Sequence, residues 1–80
     1  MTVYLPYECY YNNNIEERYL IDVYQEKEDA KKAIKEHIDS LRSTQFDPGN
    51  VETSERSSGN TFWVDEDNNV IAYLEQRVVK

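Results

Sequence analysis

Few residues in this chain have the types and spacing that chemistry requires. Asp65-Glu66-Asp67-Asn68-Asn69 begins like a calcium loop, with Asp65, Asp67 and Asn69 at the first, third and fifth positions. The pattern then fails: the sixth position, where such a loop turns on Gly, is Val70, and the twelfth, which should be a bidentate Glu, is Gln76. Its flanks alternate like strands, so the stretch reads as a solvated acidic hairpin turn. Cys9 is the only cysteine and His37 the only histidine. A thiol nucleophile needs an imidazole beside it. Cys9 shares its strand face with Leu5 and Tyr7 and reads as a buried, inert thiol; His37 reads as a partly exposed residue at the edge of a helical stripe.

The carboxylate pairs, Glu16-Glu17, Glu28-Asp29 and Asp65-Glu66-Asp67, fall in turns or at a helix start. Water keeps them ionised there, whereas acid–base catalysis needs one carboxyl raised in an apolar pocket. With two glycines, Gly49 and Gly59, there is no glycine-rich phosphate loop. A single cysteine excludes an intrachain disulfide, and one Cys with one His does not make a structural zinc site. The expected chemistry is non-enzymatic, with no cofactor and no metal.

The charge is more informative. The chain has 80 residues and a formal charge of −7. Residues 26–43 hold five acids and five bases, so the other residues, with eleven acids against four bases, carry the whole imbalance. An isoelectric point near 4.5 argues against binding nucleic acid or an anionic membrane surface. It favours a basic protein, or a protein's basic nucleic-acid-binding groove, as partner; an acidic balance also serves solubility alone. No apolar run approaches the ~18 residues of a membrane span, and the N-terminus lacks the basic and apolar regions of a signal peptide. With a lone thiol, this favours the cytoplasm.

Four strands and one helix must position these groups. Residues 2–11 and 16–24 alternate apolar and polar around Asn12-Asn13-Asn14, which predicts a β-hairpin. Pro6 cannot donate to a ladder, so the first strand is expected at a sheet edge or interrupted there. Ala30, Ala33, Ile34, Ile38 and Leu41 recur at helical spacing. Acids crowd the start of that helix, Arg42 sits at its end, and Glu28–Lys32 and Lys32–Glu36 are supporting pairs; no Ser, Thr, Asp or Asn stands just before it, so its N-cap is weak. Residues 43–61 are polar with a turn at Asp47-Pro48-Gly49 and few apolar anchors, which predicts a long mobile loop; Val51 and Thr53 suit a short strand. Thr61–Val64 and Val70–Val79 form a second hairpin. The expected architecture is a single α+β domain over 1–80, ββαββ, with one helix on one face of a four-stranded, mainly antiparallel sheet.

Strand parity sorts the two faces. Val3, Leu5, Tyr7, Cys9, Tyr19, Ile21, Val23, Phe62, Val64, Val70, Ala72, Leu74 and Val78 are expected beneath the helix. Tyr4, Glu8, Tyr10, Leu20, Asp22, Tyr24, Trp63, Ile71, Tyr73 and Glu75 are then left open. A small monomer rarely leaves so much aromatic area unused. Two alternatives stand beside a binding face: cross-strand aromatic pairs stabilise a sheet by themselves, and the 43–61 loop can fold back over it. A one-residue register slip exchanges the faces.

Leu-Ile-Asp-Val-Tyr-Gln-Glu-Lys-Glu-Asp-Ala-Lys-Lys-Ala-Ile (20–34), set between an early strand and a late strand pair, resembles short acidic proteins of bacteriophages and low-GC Gram-positive bacteria. The likeness covers about the middle third of the chain and maps no site residues. It implies stoichiometric inhibition of a host protein, such as a nucleoid protein, polymerase, protease or immune nuclease. The expectation is therefore a phage-type inhibitor acting in the host cytoplasm. It docks an acidic, Tyr- and Trp-bearing surface on a basic or nucleic-acid-binding protein, with nucleic-acid mimicry as one version. The candidate contact residues are Tyr10, Glu16, Glu17, Asp22, Tyr24, Trp63, Asp65, Glu66, Asp67, Tyr73 and Glu75. The alternative is a homodimer paired through the aromatic sheet face.

Overall fold

In the computed structural model, residues 1–12 and 15–80 are described, with backbone alone for Tyr11, Asn12 and Ile15. The expected turn at Asn13 and Asn14 lies outside the described residues. The chain runs β1 (Thr2–Asn12), β2 (Ile15–Leu20), α1 (Lys27–Arg42), β3 (Glu52–Glu55), β4 (Thr61–Val64) and β5 (Val70–Val78). The sheet has five strands in the order β2-β1-β5-β4-β3, every neighbouring pair antiparallel. The α+β class and the single helix on the sheet are as expected; the strand number is corrected from four to five. The added strand, β3, lies inside the polar 43–61 stretch and is exposed at all four residues. Val51 and Thr53 suited a short strand here, but an outer strand with every residue exposed carries no apolar alternation to extend that reading.

β1 and β5 pair at the centre, from Thr2↔Val78 to Glu8↔Ala72. α1 leaves the β2 edge and delivers the chain to the β3 edge, crossing one face on the way. Its stripe of Ala30, Ile34 and Ile38 is buried and packs with Ile71, Ala72 and Leu74. Glu26 precedes the helix in extended conformation and makes no side-chain cap, as its residue type implies. At the other end Ser43 Oγ and Thr44 Oγ1 donate to the carbonyls of Ser40 and Leu41 at 2.9 and 2.8 Å, satisfying groups that a helix end otherwise leaves open. The i,i+4 ion pair formed is Lys35–Asp39 at 3.2 Å rather than one through Lys32. Among the described residues no helix is long and apolar enough to cross a membrane.

The register assigns the faces differently from parity alone. Pro6 and Thr61 both oppose Leu74, and Trp63 opposes Ala72, so these residues lie on the helix side. Tyr7 and Phe62 both oppose Tyr73 and lie on the open side. For β1 and β4 the faces are therefore exchanged relative to expectation; for Ala72, Leu74, Tyr73 and Glu75 they hold. Both parities of β1 are apolar, so only pairing to β5 could choose between them. Ile71 is a separate correction. Trp63 pairs with Ala72 and Val64 with Val70, which leaves Ile71 as an extra residue in β5. This β-bulge lets Ile71 join the helix-side core next to Ala72.

Pro6 is in an inner strand, but its ladder is interrupted. β1–β2 pairing stops at Tyr7↔Leu20 and resumes as a bridge at Tyr4↔Tyr24. Between them residues 21–23 stand opposite Leu5 and Pro6, three against two, and the Pro6 carbonyl accepts the Ile21 amide at 2.8 Å. No donor is required of Pro6 there.

Candidate functional site

Three short segments meet at the C-terminal end of α1. Beyond the helix, the Asp47 carboxylate accepts the Gly49 amide at 3.0 Å, and Arg42 donates to the Gly49 carbonyl at 2.7 Å. Gly49 has φ +69, and a Cβ on it would come within 2.4 Å of the Glu66 carboxyl carbon. Glycine takes this φ without strain, and a Cβ here would push the Glu66 carboxylate aside. Glu66 Oε1 in turn accepts the Asn50 amide at 3.0 Å, and the Glu66 amide donates to the Pro48 carbonyl at 3.3 Å. The β4–β5 turn is thus latched to the 46–50 segment. Within that turn Asp65 Oδ1 accepts the amides of Asp67 and Asn69, both at 2.9 Å, while Asn68 takes a left-handed φ of 64. Asp65 is spent on shaping the turn, as Asx turns require.

Between these segments and the sheet lies a cleft of about 430 Å³. Leu41, Phe46, Pro48, Ile71 and Tyr10 form its apolar wall, and Asp47, Asp65, Glu66 and Asp67 its rim; among the described residues no lysine or arginine lines it. Phe46 is 68% exposed although it is among the largest apolar side chains present. An apolar wall under a carboxylate rim suits the side chain of a lysine or arginine, whose methylenes pack on carbon while the charged head meets the acids.

Tyr10 connects this cleft to a second acidic group. Its hydroxyl donates to Glu8 Oε2 at 3.0 Å, and its ring meets Tyr19 and His37 edge-on. Burial, followed by the bond to Glu8, pushes the Tyr10 phenol up to about 12. The Tyr19 hydroxyl donates to Glu17 at 2.7 Å, and burial plays a lesser part than that bond in raising its pKa. His37, expected partly exposed, is buried: it faces β1, with Nδ1 3.6 Å from Glu8 Oε1 and no partner for Nε2 among the described residues. Cys9 is buried on the other face of β1, beside Arg18, so the two do not form a thiol–imidazole pair. Burial raises the Cys9 thiol to about 11, against the opposing pull of Arg18.

The remaining expected contact residues are dispersed. Glu16 pairs with Arg18 at 2.9 Å. Asp22 is exposed and accepts the Val23 amide. Tyr24 is half-buried and packs against the helix-side core. Trp63 packs against the helix-side core. Tyr73 is buried on the open face between Tyr7 and Phe62, with the Arg18 guanidinium 4.7 Å above its ring. Glu75, on that same face, pairs with Arg77 at 2.6 Å. The fold thus gathers Tyr10, Asp65, Glu66 and Asp67, and separates the others. Sequence reading missed Leu41, Phe46, Asp47 and Ile71 at this site. Phe46 carried a usable signal: a lone large hydrophobe in a polar stretch, directly before an Asp-Pro-Gly turn.

No protein-family model, curated protein or solved structure matches the chain.

Proposed function

We propose that the protein is a non-enzymatic binding module, of the inhibitor type found in phages, that grips a basic partner protein at the acidic cleft. The observation that carries this reading is the combination of an exposed Phe46, an apolar wall and a rim of four carboxylates with no base among the lining residues. A basic side chain of the partner enters between Phe46 and Leu41, and its charge meets Asp67, with Asp47 already shared with Arg42 at 3.5 Å. Tyr10 extends the contact toward Glu8, Glu17 and Tyr19. The acidic surround speeds encounter, and the aromatic wall supplies the affinity. The partner class is a basic or nucleic-acid-binding protein of the cytoplasm.

A basic peptide carrying several lysines and arginines, titrated at low and high salt, tests this. Binding is expected at low salt and should weaken by about tenfold or more in Asp67→Asn with Phe46→Ala. Equal affinity in that double variant would remove the cleft from the function.

A further inference from the structure

The same molecule carries a second groove of opposite sign, on the other side of the 46–50 turn. Lys27, Lys31, Lys35 and Arg42 are spaced by four, four and seven residues. At about 100° per residue this places all four within one narrow stripe of α1. The stripe faces β3, because Lys27 Nζ donates to Glu55 Oε1 across the gap at 2.9 Å. Between helix and sheet lies a groove of about 440 Å³. Lys31, Lys35 and Arg42 line its helix wall with a single acid, Asp39; Trp63, Ile38 and Val51 are its apolar part. Arg42 is held by Gly49 and Asp47, and Lys35 shares its charge with Asp39, whereas Lys31 makes no ion pair among the described residues.

We infer that this groove is a docking site for an acidic peptide segment of a partner protein, a carboxylate-bearing stretch with one aromatic or aliphatic anchor. The groove concentrates three cations in a chain whose net charge is −7. That overall charge repels an extended polyanion such as nucleic acid, whose affinity comes from many phosphates neutralised at once. A short acidic segment needs only the local field. Its anchor gains the apolar surface of Trp63 and Val51, which a free inorganic anion does not use. The inference goes beyond the acidic cleft and does not rest on it.

Trp63 is the only tryptophan, so its emission reports on this groove alone. The probe is a seven-residue peptide, Glu and Asp around a central Phe, titrated at low salt against its Gln and Asn counterpart. The acidic peptide should shift Trp63 emission saturably with a Kd below about 1 mM. The neutral peptide should not, and Lys31→Glu with Lys35→Glu should weaken binding by at least about tenfold. Asp67→Asn should leave the titration unchanged, which separates this site from the cleft. An equal response to the neutral peptide, or none at all, would overturn the inference. So would tighter binding of a ten-nucleotide single strand, or self-association abolished by the lysine substitutions, which would make a second copy the occupant.

Discussion

Thr61 shows most directly what a single residue contributes here. It is 1% exposed, faces Leu74 across the β4–β5 pair, and its hydroxyl has no hydrogen-bond partner among the described residues. Burying an unpaired hydroxyl costs about 1–3 kcal/mol. Val has the same shape without that cost and suits a strand. Thr61→Val should therefore stabilise the fold by about 1 kcal/mol and raise the thermal midpoint by roughly 4–8 °C. A midpoint unchanged or lowered would mean that the hydroxyl is paired. Cys9 gives a second prediction at this scale. Its thiol is raised from 9.0 to about 11, chiefly by burial. The reactive species is the thiolate, so at pH near 8 alkylation should be roughly 100-fold slower in the folded than in the unfolded protein. The sign fixes the profile: the folded rate keeps rising with pH toward about 11, while the unfolded rate levels off above 9.0. Overlapping profiles measured with iodoacetamide would show that the thiol is not buried.

Among the elements, α1 holds the fold together through one residue more than any other. Ile34 is wholly buried at the middle of the helix stripe and packs with Leu74 and Ala72 of the central strand. Ile34→Ala should cost about 2–5 kcal/mol, a large share of what a domain this small possesses. Chemical denaturation would measure it, and a loss under about 1 kcal/mol would mean that the helix is not seated as described. The stripe that places Ile34 was legible in the sequence because helical periodicity is local. Both hairpins were legible for the same reason. The faces were not: Leu5 and Pro6 are each buried, on opposite sides of β1, and only pairing with Glu75 and Leu74 tells them apart. β3 was legible only as the short strand that Val51 and Thr53 suit, because all four of its residues are exposed. The bulge at Ile71 left no trace, since it depends on how Val64 pairs. At the site, the acids of 65–67 could be read from turn chemistry. Their meeting with Phe46 and Asp47 could not, because it depends on Glu66 reaching Asn50 across the turn.

Over the whole molecule, charge is sorted rather than spread. The acidic cleft and the cationic groove flank the 46–50 turn, joined by Arg42 and Asp47 at 3.5 Å. The open sheet face is a third surface, and its arginines bear on whether the chain pairs with itself. Tyr7, Tyr73 and Phe62 form a continuous aromatic row there, with ring centres 5.9 and 4.8 Å apart. Arg18 lies 4.7 Å over Tyr73 and Arg56 5.2 Å over Phe62. Each guanidinium gains a cation–π contact and its methylenes shield the ring. The row is thus covered by the chain's own side chains, and a net charge of −7 adds mutual repulsion between copies. Light scattering should accordingly give the mass of one chain across a wide concentration range. Arg18→Ala with Arg56→Ala removes both covers, makes the chain more acidic and leaves the rings facing water. If the arginines are what keeps the face single, the double variant should associate as concentration rises, and more readily at high salt, where repulsion is screened. A wild-type protein that already dimerises, with the variant no different, would instead make the open face a constitutive interface.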